Sequence, residues 1–242
     1  MSTNLAPRSE GAAAPLSLER LILGEEGRRA RARLQTRGFT VLRHCLGPAP
    51  VRALRAEARR QESSAVVSEW YEYGLGEDGS YFSGPMRFRS ANGGPWLRWL
   101  HRHPALVGAV RTLTGRPGFA PTGYRSYMYY TDGSFVHLHT DVPGCEFTVL
   151  TCVVGRVAPL VVHPTLYRAG VGPQLALAQA TAGVPAGGRE VPVPVGGLLF
   201  LLGRELPHRR PEVRADGRTV ALATLCYGSP RSPARTANGS ES

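Results

Sequence analysis

The chain has 242 residues, 42% of them hydrophobic, and a formal net charge of +11. That length encloses one sizeable core, no apolar run reaches the ~20 residues of a membrane span, and the N-terminus lacks the apolar centre of a secretory signal, so one soluble, cytoplasmic domain with no membrane partner is expected. The 29 basic residues are all arginine and are scattered through an Ala-, Gly- and Pro-rich chain, a pattern of high-GC bacterial coding, so they need not mark a phosphate-binding surface and no nucleic-acid partner is expected.

Residues 1–16 and 229–242 are rich in Ser, Pro, Gly and Ala and read as disordered tails around a single domain, 17–228. "LERLILGEEGRRARARLQTR" reads as a helix, and "GFTVLRHCL" as a short strand after Gly38. "GPAPVRALRAEARRQ" carries prolines suited to a first helical turn, with Val51, Leu54 and Ala58 on one face. Pro104 and Gly115 bracket a further helix, so 17–118 is expected to be a helical support.

From about residue 119 the apolar period changes to two, and short strand-like runs alternate with Gly, Pro or Asp up to residue 228. Many short strands of even spacing predict an α+β fold: a jelly-roll, cupin-like barrel, or double-stranded β-helix, resting on the N-terminal helices. The interruption 165–189 is long for a barrel connection and is expected to be a mobile cover over the barrel mouth. Cys45, Cys145, Cys152 and Cys226 show no CxxC spacing and are expected to be free thiols.

The stretch "SFVHLHTDVPG" sets His137, His139 and Asp141 on alternate positions of a strand, on one face about 7 Å apart. A pair of surface histidines beside an aspartate is the plainer reading of HxD alone. His208 in "GRELPHRRP" adds a third ligand type, and His139, Asp141 and His208 make two imidazoles and one carboxylate. That set suits non-haem Fe(II), occupying one face of an octahedron and leaving three positions open. Arg218 follows His208 by ten residues, at the head of "RTVALATLCY", where a guanidinium can hold a carboxylate by two parallel hydrogen bonds or pair with Asp216 or Glu212 at the surface.

HxD, a distant His and an Arg ten residues on, in this order within a strand-rich half, resemble the Fe(II)- and 2-oxoglutarate-dependent oxygenases. The specific motifs lie within residues 124–228; "GFTVLRHCLGPAPVRALRAEA" is similar to the entry of the phytanoyl-CoA hydroxylase-like and prolyl-hydroxylase-like branches. The resemblance implies Fe(II), 2-oxoglutarate and O2, with Arg218, Tyr130 and Thr224 holding 2-oxoglutarate. It implies oxidation, most simply hydroxylation, of an unactivated C–H bond in a small molecule such as an amino acid or an intermediate of bacterial specialised metabolism. Desaturation or ring formation uses the same chemistry. Asp141 argues against a halogenase, in which a small residue replaces the carboxylate. Substrate contacts are expected from His137, Met128, Leu160, Arg87 and Arg89, the two arginines on an irregular loop; for His137 a structural hydrogen bond is an equal alternative. A nucleic-acid dealkylase of the same superfamily carries a second arginine where this chain has Thr224. A cupin-type metal enzyme would not need Arg218, and a non-catalytic binding barrel would not need the triad.

Overall fold

A computed structural model describes residues 23–70, 74–75, 82–83, 86–142, 144–168 and 188–230. Helix α1, Glu25–Arg37, ends where Gly38 adopts φ 76° and returns its N–H to the Leu34 carbonyl. A residue with a Cβ is strained in that conformation. Strand β1 is Phe39–Leu42, and α2, Pro48–Gln61, starts on a proline whose missing N–H costs nothing in the first turn. It buries Leu54 and Ala58 and half-buries Val51, the face expected from the spacing.

The next segment departs from the expected helical layer. Strands β2 (Val66–Trp70), β3 (Gly74–Leu75), β4 (Phe82–Ser83) and β5 (Met86–Asn92) come before α3, Pro95–Arg102. The period of two is visible in "MRFRSAN": Met86 and Phe88 pack on the inner apolar cluster, while Arg87 and Arg89 alternate with them. Arg87 and Arg89 therefore stand on a strand, not on a loop. Helix α4, Pro104–Thr114, ends at Gly115 with φ 69°.

The remaining strands are β6 (Ala120–Tyr130), β7 (Phe135–His139), β8 (Phe147–Val154), β9 (Leu160–Val162), β10 (Arg189–Val191), β11 (Leu198–Leu201), β12 (His208–Arg210) and β13 (Val220–Gly228). A short helix α5, Pro164–Arg168, follows β9; residues 169–187 of the expected cover, and both tails apart from 229–230, lie outside the described residues. The main sheet runs β1-β11-β8-β13-β6-β5-β7-β12-β9-β10, with β2 added on β5. Its pairings are antiparallel, and β5 joins the two halves by pairing with β6 through Arg89–Asn92 and with β7 through Met86 and Arg87. The sheet thus curls into a jelly roll backed by helices.

Two apolar clusters follow from the curl. One, between the helices and the outer face, contains Leu34, Leu54, Leu97, Leu106, Phe147 and Phe200. The other fills the barrel with Tyr130, Leu150, Val162, Leu199 and Leu222. Strands β8 and β13 are covered on both sides, so "FTVLTCVV" and "VALATLCYG" read as nearly unbroken apolar runs.

The expectation of four free thiols is corrected by a Cys145–Cys226 disulfide with Cα atoms 4.7 Å apart. Cys145 lies just before β8 and Cys226 lies on β13, the antiparallel partner of β8, so register brings together residues that sequence spacing separates. Cys45 and Cys152 are buried free thiols. No helix among the described residues is long and apolar enough to cross a membrane.

Candidate metal centre

His139 ends β7, His208 begins β12, and the two are direct partners across that antiparallel pair. Their rings lie 4.2 Å apart between centroids. Two residues past His139, the chain is held by Asp141 N–H donating to the Gly203 carbonyl at 2.8 Å. This places Asp141 Oδ1 at 3.7 Å from His139 Nε2 and 3.6 Å from His208 Nε2. The three ligand-type atoms fall within 4.8 Å of one another.

The hydrogen bonds behind these atoms decide which nitrogen faces inward. His139 Nδ1 is 2.9 Å from the His137 carbonyl, and His208 Nδ1 is 2.8 Å from the Leu206 carbonyl. A carbonyl only accepts, so each Nδ1 donates to it and each Nε2, the other ring nitrogen, is turned to the shared centre. Thr148 Oγ1 donates to Asp141 Oδ2 at 2.5 Å and leaves Oδ1 facing the histidines. Burial, reinforced by His208, lowers the pKa of His139 and favours the neutral, ligating form. Burial alone would raise the Asp141 carboxyl, but His208 and the contacts from both imidazoles outweigh it and hold the group below the ordinary carboxylate range. Two imidazoles with Nε2 turned inward and one ionised carboxylate are a donor set that fits a divalent cation.

The cavity beside this centre is lined by His139, Asp141, His208, Thr148, Met128, Tyr130, Leu150, Leu160, Leu222 and Thr224, among others. It also holds Arg210, which shares the inward face of β12 with His208 and is 2% exposed. Its guanidinium lies 5.0 Å from the Tyr130 ring centroid and donates to the Ala158 carbonyl. Tyr130 is fully enclosed; burial raises its pKa against the opposing pull of Arg210, so the phenol stays protonated.

Among the residues expected to act, Met128, Tyr130, Leu160 and Thr224 reach this cavity with the three metal-ligand candidates. Arg218 does not: it is exposed, on the chain between the Asp216–Gly217 turn and β13. His137 is also absent from the lining. The β7–β12 register pairs His208 with His139 but Arg210 with Val136, so His137 and Leu138 together oppose Arg209. This bulge breaks strict alternation and makes Val136, not His137, the cavity neighbour of His139. Arg87 pairs with Glu69, while Arg89 pairs with Glu62 and covers the Tyr129 ring at 5.9 Å; neither lines the cavity.

Three residues escaped the sequence reading: Thr148, Gly203 and Arg210. Only Arg210 had a local signal, its two-residue spacing from His208. Thr148 and Gly203 meet Asp141 through tertiary contacts that no spacing rule encodes.

No protein-family model matches the chain, and no curated protein matches it in sequence. Solved structures do share its architecture. SnoK, a non-haem α-ketoglutarate-dependent carbocyclase from nogalamycin biosynthesis, aligns with a TM-score of 0.64 at 16% identity, over 89% of this chain and 87% of its own. HygX from Streptomyces hygroscopicus, solved with nickel, 2-oxoglutarate and hygromycin B, aligns with a TM-score of 0.62 at 15% identity, over 84% and 88%. A prolyl hydroxylase from Trichoplax adhaerens, in complex with a peptide of hypoxia inducible factor, aligns with a TM-score of 0.58 at 18% identity, over 90% and 94%. With its helices, its curled antiparallel sheet and the placement of His139, Asp141 and His208, the chain has the jelly-roll fold of the iron- and 2-oxoglutarate-dependent oxygenases.

Proposed function

We propose that the protein is a non-haem Fe(II)- and 2-oxoglutarate-dependent oxygenase that oxidises a C–H bond of a small molecule. The observation that carries this is the convergence of His139, Asp141 and His208 on one point in a cavity that also holds a buried cation. The likeness to SnoK and HygX supports a role in bacterial natural-product chemistry, and Asp141 as the carboxylate ligand favours hydroxylation as the simplest outcome.

His139, Asp141 and His208 would hold the iron, which with 2-oxoglutarate and O2 supplies the oxidising equivalents for C–H cleavage. The chain's own contribution is positional. The Leu206 and His137 carbonyls fix both imidazole orientations, Thr148 fixes the carboxylate, and the apolar wall of Leu150, Leu160 and Leu222 keeps water from the reacting groups.

The test is succinate formation from 2-oxoglutarate with Fe(II), ascorbate and O2, screened against amino acids and biosynthetic intermediates for stimulated turnover. Wild type is expected to release succinate and Asp141→Ala to release none. Equal turnover in Ala variants of all three ligand candidates would overturn the metal assignment.

A further inference from the structure

We infer that Arg210, with Thr224, forms the subsite for the remote carboxylate of the 2-oxo acid co-substrate, the role that the family resemblance implies for Arg218. The inference rests on the oxygenase function proposed above and names the residues that select its co-substrate.

Arg210 is 2% exposed, and no described carboxylate pairs with it. A buried guanidinium without an anion is costly, and the Ala158 carbonyl and Tyr130, through both its hydroxyl and its ring, compensate it only in part, since the group has five N–H donors and a full charge. A second unfilled group shares the cavity: Thr224 Oγ1 is buried without a hydrogen-bond partner. An isolated orphan hydroxyl has many explanations, but beside a buried cation with no carboxylate partner it describes a receptor for an anion, which accepts from both groups and neutralises the guanidinium.

Position then selects the ligand. Arg210 is two residues beyond His208 on the same face of β12, an offset of roughly 7 Å along the strand. The two carboxylate carbons of a five-carbon 2-oxo dicarboxylate lie four C–C bonds apart, about 5 Å when extended. One end can therefore lie against the metal ligands while the other meets the guanidinium fork. Strand β13 offers no competing cation: Arg218 is exposed, and the inward position nearest to it on the strand is the apolar Val220.

The experiment is calorimetric titration of the full-length, nickel-loaded protein with 2-oxoglutarate and with pyruvate, which keeps the 2-oxo acid but lacks the remote carboxylate. Each variant is first shown to bind about one nickel, as the intact triad requires. Arg210→Met is expected to weaken 2-oxoglutarate binding at least about 30-fold and to leave pyruvate binding unchanged. Arg210→Lys keeps charge but loses the fork and should fall between Arg210→Met and wild type. Thr224→Val should lose about 5-fold for 2-oxoglutarate alone. Arg218→Met should match wild type. If Arg218→Met loses 2-oxoglutarate affinity while the Arg210 variants keep it, the subsite assignment is overturned and the oxygenase function stands. If nickel-loaded wild type binds 2-oxoglutarate no better than pyruvate, both are overturned. Should Arg210→Met fail to bind nickel, Arg210→Lys and Thr224→Val decide: wild-type preference for 2-oxoglutarate in both overturns the assignment.

Discussion

Asp141 shows how far one side chain depends on atoms distant in sequence. Its N–H is received by Gly203, and a Cβ built on Gly203 would stand 2.0 Å from Asp141 Oδ2 and 2.8 Å from Thr148 Oγ1. The glycine is required for space, since the carboxylate occupies the position a side chain would take. Gly203→Ala is therefore expected to displace the carboxylate and weaken nickel binding about 100-fold, and Thr148→Val to weaken it about 10-fold by freeing its rotation. Titration of the metal-free protein with nickel measures both; wild-type affinity in Gly203→Ala would show that the carboxylate is not held there. HxD and its distant histidine were legible because ligand chemistry restricts residue type. The backing groups were not, because a glycine or a threonine carries no such restriction.

At the scale of elements, the helical layer is fastened to the barrel by a carboxylate. Glu57, on α2 and 1% exposed, accepts hydrogen bonds from Trp96 N at 2.7 Å and Leu97 N at 2.9 Å, the first turn of α3, and from Tyr127 Oη on β6 at 2.8 Å. It thus serves the helix N-terminus from another element, where Gly94 provides no capping side chain. Glu57→Ala would leave three donors unpaired, two of them in buried contacts, and is expected to destabilise the fold by about 3 kcal/mol, with Glu57→Gln costing less. Urea unfolding measures the difference; a change below about 0.5 kcal/mol, the range of an ordinary surface substitution, would mean that water replaces the carboxylate. Proline starts and glycine stops made α2 and α4 readable. Strands β3 and β4, two residues each, are too short to establish a period, whereas the alternation of β5 was present in the sequence but sits beside glycines and a proline that read as an irregular loop.

For the whole molecule, the Cys145–Cys226 bond closes a loop with a sequence separation of 81 around the barrel. A cross-link of that span restricts the unfolded chain and is worth up to about 4 kcal/mol. Cys145→Ser/Cys226→Ser is expected to lower the thermal midpoint by several degrees, roughly 10 °C at most. Adding a reductant to wild type should approach the same value. A midpoint insensitive to both would show that the bond does not form in solution.

Sequence alone determined the class of fold, the triad and the inward course of β6 and β13, because a period of two and the chemistry of metal ligands are local properties. It also placed Met128, Tyr130, Leu160 and Thr224 correctly on the cavity side. Tertiary structure decided the remainder. A single bulge opposite Arg209 turned His137 out of the face it shares in an ideal strand, and the turn before β13 left Arg218 in solvent. The buried cation instead came from Arg210, and the β8–β13 pairing joined two cysteines expected to be free. Strand periodicity states which side a residue takes only while register is unbroken, and which of two arginines is buried depends on where the curled sheet closes.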